Sequence, residues 1–337
     1  VDARVRGLCA FLSGAVKHPT SLRRLRVLGC RARGVVDVEA VRNPPAMSSF
    51  LRRVAMLPDL GLGVSTEYGA ARAAGALDVL ELATRHPRRA AFLELGVEVD
   101  KGLDDDALQW IASGRPTTYH FLDVNLHDDD DFDPAWLAGV DRVVAQSHPA
   151  WLCGDAGLWH FGARDRGHML LLPPVLVDDA ATAIARGVAR LREATRLEVL
   201  PENPPGTAFV GDLHILDFFA RVAERADTGL LLDVAHLAMY RHVTGRDVLG
   251  ALDAFPLERV VEIHVAGGDV RATADGFSFV EDTHGTAVLD ETWRIFERVV
   301  RGATNLKAVV FECERNANAD VDVGFARIER VLARGAT

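Results

Sequence analysis

Gly229-Leu230-Leu231-Leu232-Asp233-Val234 and Val260-Val261-Glu262-Ile263-His264-Val265 decide how this chain is read. Each is a short apolar run with acidic or imidazole groups at or near its C-terminal end. In the second, Glu262 and His264 alternate with apolar residues, so in a strand both side chains point to one face. A nearly continuous apolar strand belongs to a parallel sheet covered on both sides. Six further runs of this kind lie at Leu60–Val64, Ala91–Val97, Thr118–Leu122, Arg142–Ala145, Leu197–Leu200 and Ala308–Phe311.

The segments between them have helical spacing. Ile184, Val188 and Leu191 fall at i, i+4 and i+7, and Ile215, Phe218, Phe219 and Val222 also share one helical face. Strand followed by helix, eight times over, predicts a (β/α)₈ TIM barrel within the α/β class. A doubly wound open sheet would call for a glycine-rich phosphate turn. Gly61-Leu62-Gly63 is the nearest match, but it lies inside the first strand and lacks the third glycine of that fingerprint. Residues 1–56 are rich in Arg and Ala and show no strand–helix alternation. They are expected to form an N-terminal extension, in part helical, ahead of a barrel over 57–337.

Composition narrows the function. Of 337 residues, 49% are hydrophobic, enough for a full core, and the net charge is −10, unsuited to a nucleic-acid partner. No apolar stretch is long enough for a membrane span. The four cysteines, Cys9, Cys30, Cys153 and Cys313, form no CxxC pair. A disulfide framework and a thiolate zinc site are therefore not expected, and a reducing cytoplasm is the simplest location.

Barrel chemistry gathers at the C-terminal strand ends. Glu94, His120, His148, Glu202, Asn203, Asp233, His236, Glu262, His264, Glu312 and Glu314 all fall at or near such ends, with Asp282 and His284 in the loop expected after strand 7. Acids and imidazoles are rarely buried unless paired or metal-bound, and so many carboxylates around one mouth would repel each other without cations. Imidazole, carboxylate and amide donors suit iron, manganese or catalytic zinc. Their number exceeds what one ion needs, so two or three ions are expected. Asp128–Asp131 reads as a solvated acidic loop, and His86, His160, His168, His214 and His242 as surface or loop residues.

One ordered series of motifs adds to this reading. It runs Leu171-Leu172-Pro173, Leu200-Pro201-Glu202-Asn203-Pro204, Gly229–Val234, Glu262-Ile263-His264-Val265-Ala266-Gly267, Asp282-Thr283-His284-Gly285 and Phe311-Glu312-Cys313-Glu314. The series resembles the multinuclear non-haem iron-dependent oxidative enzymes, which include the methanobactin and 3-thiaglutamate maturation enzymes. The resemblance spans roughly residues 58–335. It implies a barrel that holds iron and uses O₂ to oxidise a residue, usually cysteine, of a ribosomally made precursor peptide, often with a second protein that recognises the leader. It places metal ligands on His120, Glu202, Asn203, Asp233, His236, Glu262, His264, His284 and Glu312. Where the family has a strand-1 histidine, Glu67 or Tyr68 stands here, and Ser147 replaces the glutamate before the strand-4 histidine, here His148. These departures favour two irons over three, in mixed valence, with Asp282 or Glu314 orienting imidazoles. Two other readings fit the residues. One is a sugar isomerase or epimerase with a single Mn²⁺ or Mg²⁺ on Glu202, Asp233, His264 and Glu312. The other is a barrel that has lost catalysis and serves as a partner.

Overall fold

The computed structural model describes residues 49–66, 75–164 and 170–335. Eight parallel strands close into a barrel: β1 (Gly61–Thr66), β2 (Leu93–Val97), β3 (Thr117–Phe121), β4 (Leu152–Asp155), β5 (Val199–Glu202), β6 (Leu230–Asp233), β7 (Val260–Ala272) and β9 (Ala308–Glu312). Each pairs with its neighbour, and β9 closes the ring by pairing with both β7 and β1. The helices between strands are α2 (Val79–Arg85), α3 (Asp105–Ala112), α4 (Pro134–Ser147), α5 (Asp178–Thr195), α6 (Ile215–Ala226), α7 (Val234–Thr244), α8 (Val248–Ala251) and α9 (Asp290–Val300), with α10 (Asp322–Gly335) after the last strand. The predicted barrel is the observed fold.

Two local expectations are corrected. Arg142–Ala145 is not a strand but the last turns of α4, which is capped by Asp133 and starts with Pro134 at its first position. The fourth strand lies ten residues later. The segment carrying Asp282 and His284 is not a loop but β8 (Ser278–Gly285), which folds back antiparallel on the long outer half of β7. The hairpin needs Gly267, because a Cβ there would lie 2.0 Å from the Gly285 carbonyl oxygen.

The lumen is layered. Its floor is apolar, built from Phe92, Trp151, Leu200, Leu231, Val261 and Val310. Gly63 of β1 contributes no side chain there because the Phe92 ring fills the space, 2.5 Å from where its Cβ would be. This glycine is a packing requirement, not a phosphate turn. The floor is closed from below by α1 (Ser49–Val54), whose Phe50 and Val54 pack into the same cluster. Arg53 anchors α1 through Glu198 at 2.7 Å. Of the extension expected over residues 1–56, residues 1–48 lie outside the described residues, and no helix among the described residues is long and apolar enough to cross a membrane.

If α1 is the floor of the barrel, Phe50→Ala should lower unfolding free energy by about 3 kcal/mol, the usual cost of emptying a buried Phe site. Met56→Ala, on a side chain 85% exposed, should change it by less than about 0.5 kcal/mol. Urea unfolding of the two variants measures the difference.

Candidate metal centre

Above the apolar floor the lumen turns polar. The strand period of two sends Glu94 (β2), His120 (β3), Asp155 (β4), Glu202 (β5), Asp233 (β6), Glu262 and His264 (β7) and Glu312 (β9) inward, all buried. The rim is completed by His236 from the first turn of α7, by Asp282 and His284 from β8, and by Glu314. Most of them line a cavity of about 150 Å³ that opens at the C-terminal face, while Asp233, Glu262 and His264 are buried beside its lining residues.

The contacts divide into groups centred on Glu202. Its Oε2 lies 2.8 Å from His120 Nε2, and its Oε1 lies 3.4 Å from His264 Nδ1 and 3.7 Å from His236 Nδ1. Donor atoms of His120, Asp155 and Glu202 fall within 4.8 Å of one another, as do those of Glu202, Asp233 and His264, and those of Glu94, His120 and His264. At the rim, Asp282 Oδ2 stands 3.2 Å from both His236 Nε2 and His284 Nε2. Glu314 holds the other His284 nitrogen and also accepts from Ser65 Oγ.

Charge is the decisive feature. Eight carboxylates (Glu94, Asp155, Glu202, Asp233, Glu262, Asp282, Glu312, Glu314) face four imidazoles, and among the described lining residues the only basic group beyond these is exposed Arg315. Without other cations the cluster must hold protons. Burial, with the charge of Glu202, pushes Asp155 up to about 8, and burial, with the charge of Glu94, pushes Glu262 up to about 8. Burial opposes charge on His120, but the hydrogen bond to Glu202 and the charge of Glu94 outweigh it and raise His120 to about 9. His236, His264 and His284 are likewise raised well above the usual imidazole range, their carboxylate neighbours outweighing burial.

Protons do not satisfy the geometry. Asp155 Oδ1, Asp233 Oδ2, Asp282 Oδ1, Glu312 Oε2 and both nitrogens of His264 are buried without a hydrogen-bond partner. His264 lies 3.0 Å from Glu94 and 3.3 Å from Glu312, yet neither contact has hydrogen-bond alignment. Buried polar atoms are seldom left so. Lone pairs converging from imidazoles and carboxylates fit divalent cations of the iron, manganese or zinc type.

Not every expected residue joins this set. Asn203 is buried, but its amide is spent on the Asp233 backbone: Oδ1 accepts from Asp233 N–H at 3.0 Å and Nδ2 donates to Asp233 O at 2.9 Å. Its own carbonyl holds His236 Nδ1 at 2.8 Å, so it orients two donors. Asp233 both caps α7 through Oδ1 and leaves Oδ2 buried without a partner. Glu262 sits a layer lower, its Oε2 accepting from the Trp151 indole at 2.7 Å. His148 is exposed at the C-cap of α4, ahead of β4 and so at the opposite end of the barrel from the mouth. Glu67 lies outside the described residues, as do Tyr68 and His168.

Sequence reasoning missed Asp155, hidden by the misplaced fourth strand. Asp131, read as part of a solvated loop, and His160, read as a surface or loop residue, do lie in the segments after β3 and β4, but both are buried, with His160 Nε2 3.0 Å from Asp131 Oδ2, and they tie those segments together.

Fold and site together define a (β/α)₈ barrel whose mouth gathers carboxylates and imidazoles that could hold metal. Residues 78–330 match the family model described as RiPP precursor modification enzyme MbnB/TglH/ChrH, RiPP being a ribosomally synthesised and post-translationally modified peptide, and the chain belongs to that family. A UPF0276 protein of Caulobacter vibrioides is 31% identical over 255 residues, covering 73% of this chain and 84% of its own. Another, from Anaeromyxobacter, is 28% identical over 196 residues, covering 58% and 67%. Among solved structures, a xylose isomerase-like TIM barrel protein from Mycobacterium smegmatis in complex with magnesium has a TM-score of 0.49 at 10% identity, covering 82% of this chain and 99% of that one.

The proton-laden cluster predicts how stability follows pH. Unfolded carboxyls lose their protons near ~4 and imidazoles near ~6.5. Folded Asp155 and Glu262 keep theirs to about 8, and His120 to about 9. Between these limits the metal-free folded chain binds more protons than the unfolded one, so its stability falls as pH rises from about 5 to about 9. A bound divalent ion displaces those protons and reverses the trend. Thermal unfolding of chelated and metal-loaded protein across that range should give opposite slopes. Equal Tm values for chelated protein at both ends would contradict the assignment.

Proposed function

We propose that this chain is a multinuclear non-haem iron oxidase that uses O₂ to modify a residue, cysteine foremost, of a ribosomally made precursor peptide. The observation that carries the proposal is the position of Glu202, whose two oxygens face different imidazoles in two donor groups that share this carboxylate. A carboxylate so placed suits two cations side by side. A sugar isomerase built on one ion has no use for a second donor group, and hard Mg²⁺ would prefer a set poorer in imidazole.

His120, Asp155 and Glu202 would hold one ion, and Glu202, Asp233 and His264 the other, with Glu94 and Glu312 within reach of His264. His236, Asp282 and His284 offer further donors at the rim. When bound, iron in mixed valence would supply the one-electron chemistry that O₂ requires and an open position soft enough for a substrate thiolate. The protein's own part is orientation and exclusion of water. Asn203 fixes the Asp233 backbone and His236, and Glu314 fixes His284. The Asp282 carboxylate, held well below the usual range by His284 and His236 despite its burial, stays ionised between their rings and orients both. The lumen floor below admits no solvent path, since Phe92, Trp151 and Phe50 are buried to within 1%. Recognition of the leader is assigned to a separate partner protein.

The test is O₂ uptake by protein loaded anaerobically with ferrous ion. Uptake and a mass change of the peptide are expected only when iron and a cysteine-containing precursor peptide are both present, and Glu202→Gln should slow both by at least about 100-fold. Peptide modified without O₂ uptake, or full activity with Mg²⁺ alone, would overturn the proposal.

A further inference from the structure

A second layer of donors lies beneath the mouth. Cys153 is on β4 two residues before Asp155, so it shares the inward face. It is fully buried, and its Sγ is 3.0 Å from Glu94 Oε2. Glu262 completes the layer. One of its oxygens accepts from the Trp151 indole, and the other, Oε1, is buried without any partner. Donor atoms of Glu94, Cys153 and Glu262 all fall within 4.8 Å of one another.

Hydrogen bonding alone leaves this layer unfinished. The Cys153 thiol has a single proton, and Glu94 takes it. Thr118 Oγ1 also donates to the same Glu94 oxygen, at 3.2 Å. Nothing is left for Glu262 Oε1, which sits above an apolar floor beside a second carboxylate. A cation accepts all three donors at once. Metal–sulfur bonds of ~2.3 Å and metal–oxygen bonds of ~2.0–2.2 Å separate neighbouring ligand atoms by roughly 3–4 Å, within the spacing found here.

We infer that Cys153, Glu94 and Glu262 form a deep metal site, distinct from the mouth, that takes a borderline divalent ion such as Zn²⁺, Co²⁺ or Fe²⁺. Sulfur excludes Mg²⁺ and Ca²⁺, which require oxygen. Binding costs the thiol its proton, which leaves to solvent as the cation enters. The site shares Glu94 with the mouth, where Glu94 Oε1 stands 3.0 Å from His264 Nε2. An ion below therefore fixes the carboxylate that the mouth also uses. This inference goes beyond the proposed oxidase activity and does not depend on oxygen chemistry.

The test is anaerobic titration of metal-free protein with Co²⁺ alone, followed by absorption. The expected result is a near-ultraviolet thiolate-to-cobalt charge-transfer band. It should vanish in Cys153→Ser together with roughly one bound ion per chain. It should persist in Cys313→Ser, which removes the other described cysteine, and in His284→Ala, which damages only the mouth. A failed mouth with an intact band thus separates the two proposals. If Cys153→Ser does not fold, Glu262→Gln decides, since it keeps the volume and the Trp151 acceptor; cobalt should then bind at the thiolate at least about tenfold more weakly. Absence of the band in the wild type, its survival in Cys153→Ser, or unchanged affinity in Glu262→Gln overturns the inference.

Discussion

Too many carboxylates for too few imidazoles, enclosed in a closed barrel, is the constraint from which the rest of the site follows. Even with all four mouth imidazoles protonated, the eight acids would outnumber them two to one. Isolated buried charge is among the costliest states a protein can adopt. The folded chain therefore has two ways to exist, with protons on the acids or with cations between them. The unpartnered atoms of His264, Asp155, Asp233 and Glu312 distinguish these, because a proton supplies one directed bond whereas a cation gathers several lone pairs.

The barrel makes such crowding tolerable. Each strand pairs with both neighbours around the ring, and α1 with the Phe92–Trp151 layer gives the polar mouth a buried, apolar base. Rigidity above comes from the chain's own contacts. The β7–β8 hairpin carries Asp282 and His284 back over the opening, and the Asn203 amide ties the ends of β5 and β6 together. Most of the donors are thus presented by strands, with His236 on the first turn of α7 and Glu314 just past β9, which favours a fixed geometry.

Much of this was legible in the sequence. The alternation in Glu262-Ile263-His264 placed both groups inside the barrel, and acids ending apolar runs marked Glu202, Asp233 and Glu312. What failed had physical causes. Arg142-Val143-Val144-Ala145 has the β-branched content of a strand, but Trp136, Val140, Val143 and Ser147 form a helical stripe that starts from a strong cap at Asp133-Pro134, and the longer period wins. Asp155 was lost with that error. The strand expected over Val260–Val265 instead runs on through Gly267-Gly268, a pair that allows the close crossing of β8. The burial of His160 against Asp131 depends on residues 29 positions apart, and no local pattern reports it. Cys153 was set aside because thiolate sites were sought as CxxC pairs, while the barrel brings a single cysteine to carboxylates from other strands.

The central claim is that cations occupy the space between these side chains. Anomalous diffraction from crystals of ferrous-loaded protein, collected at the iron edge, tests it directly. The account predicts separate iron peaks on the two sides of the Glu202 carboxylate, one towards His120 and one towards His264. A map without such peaks, in which the same side chains pair only with each other and with water, would contradict it.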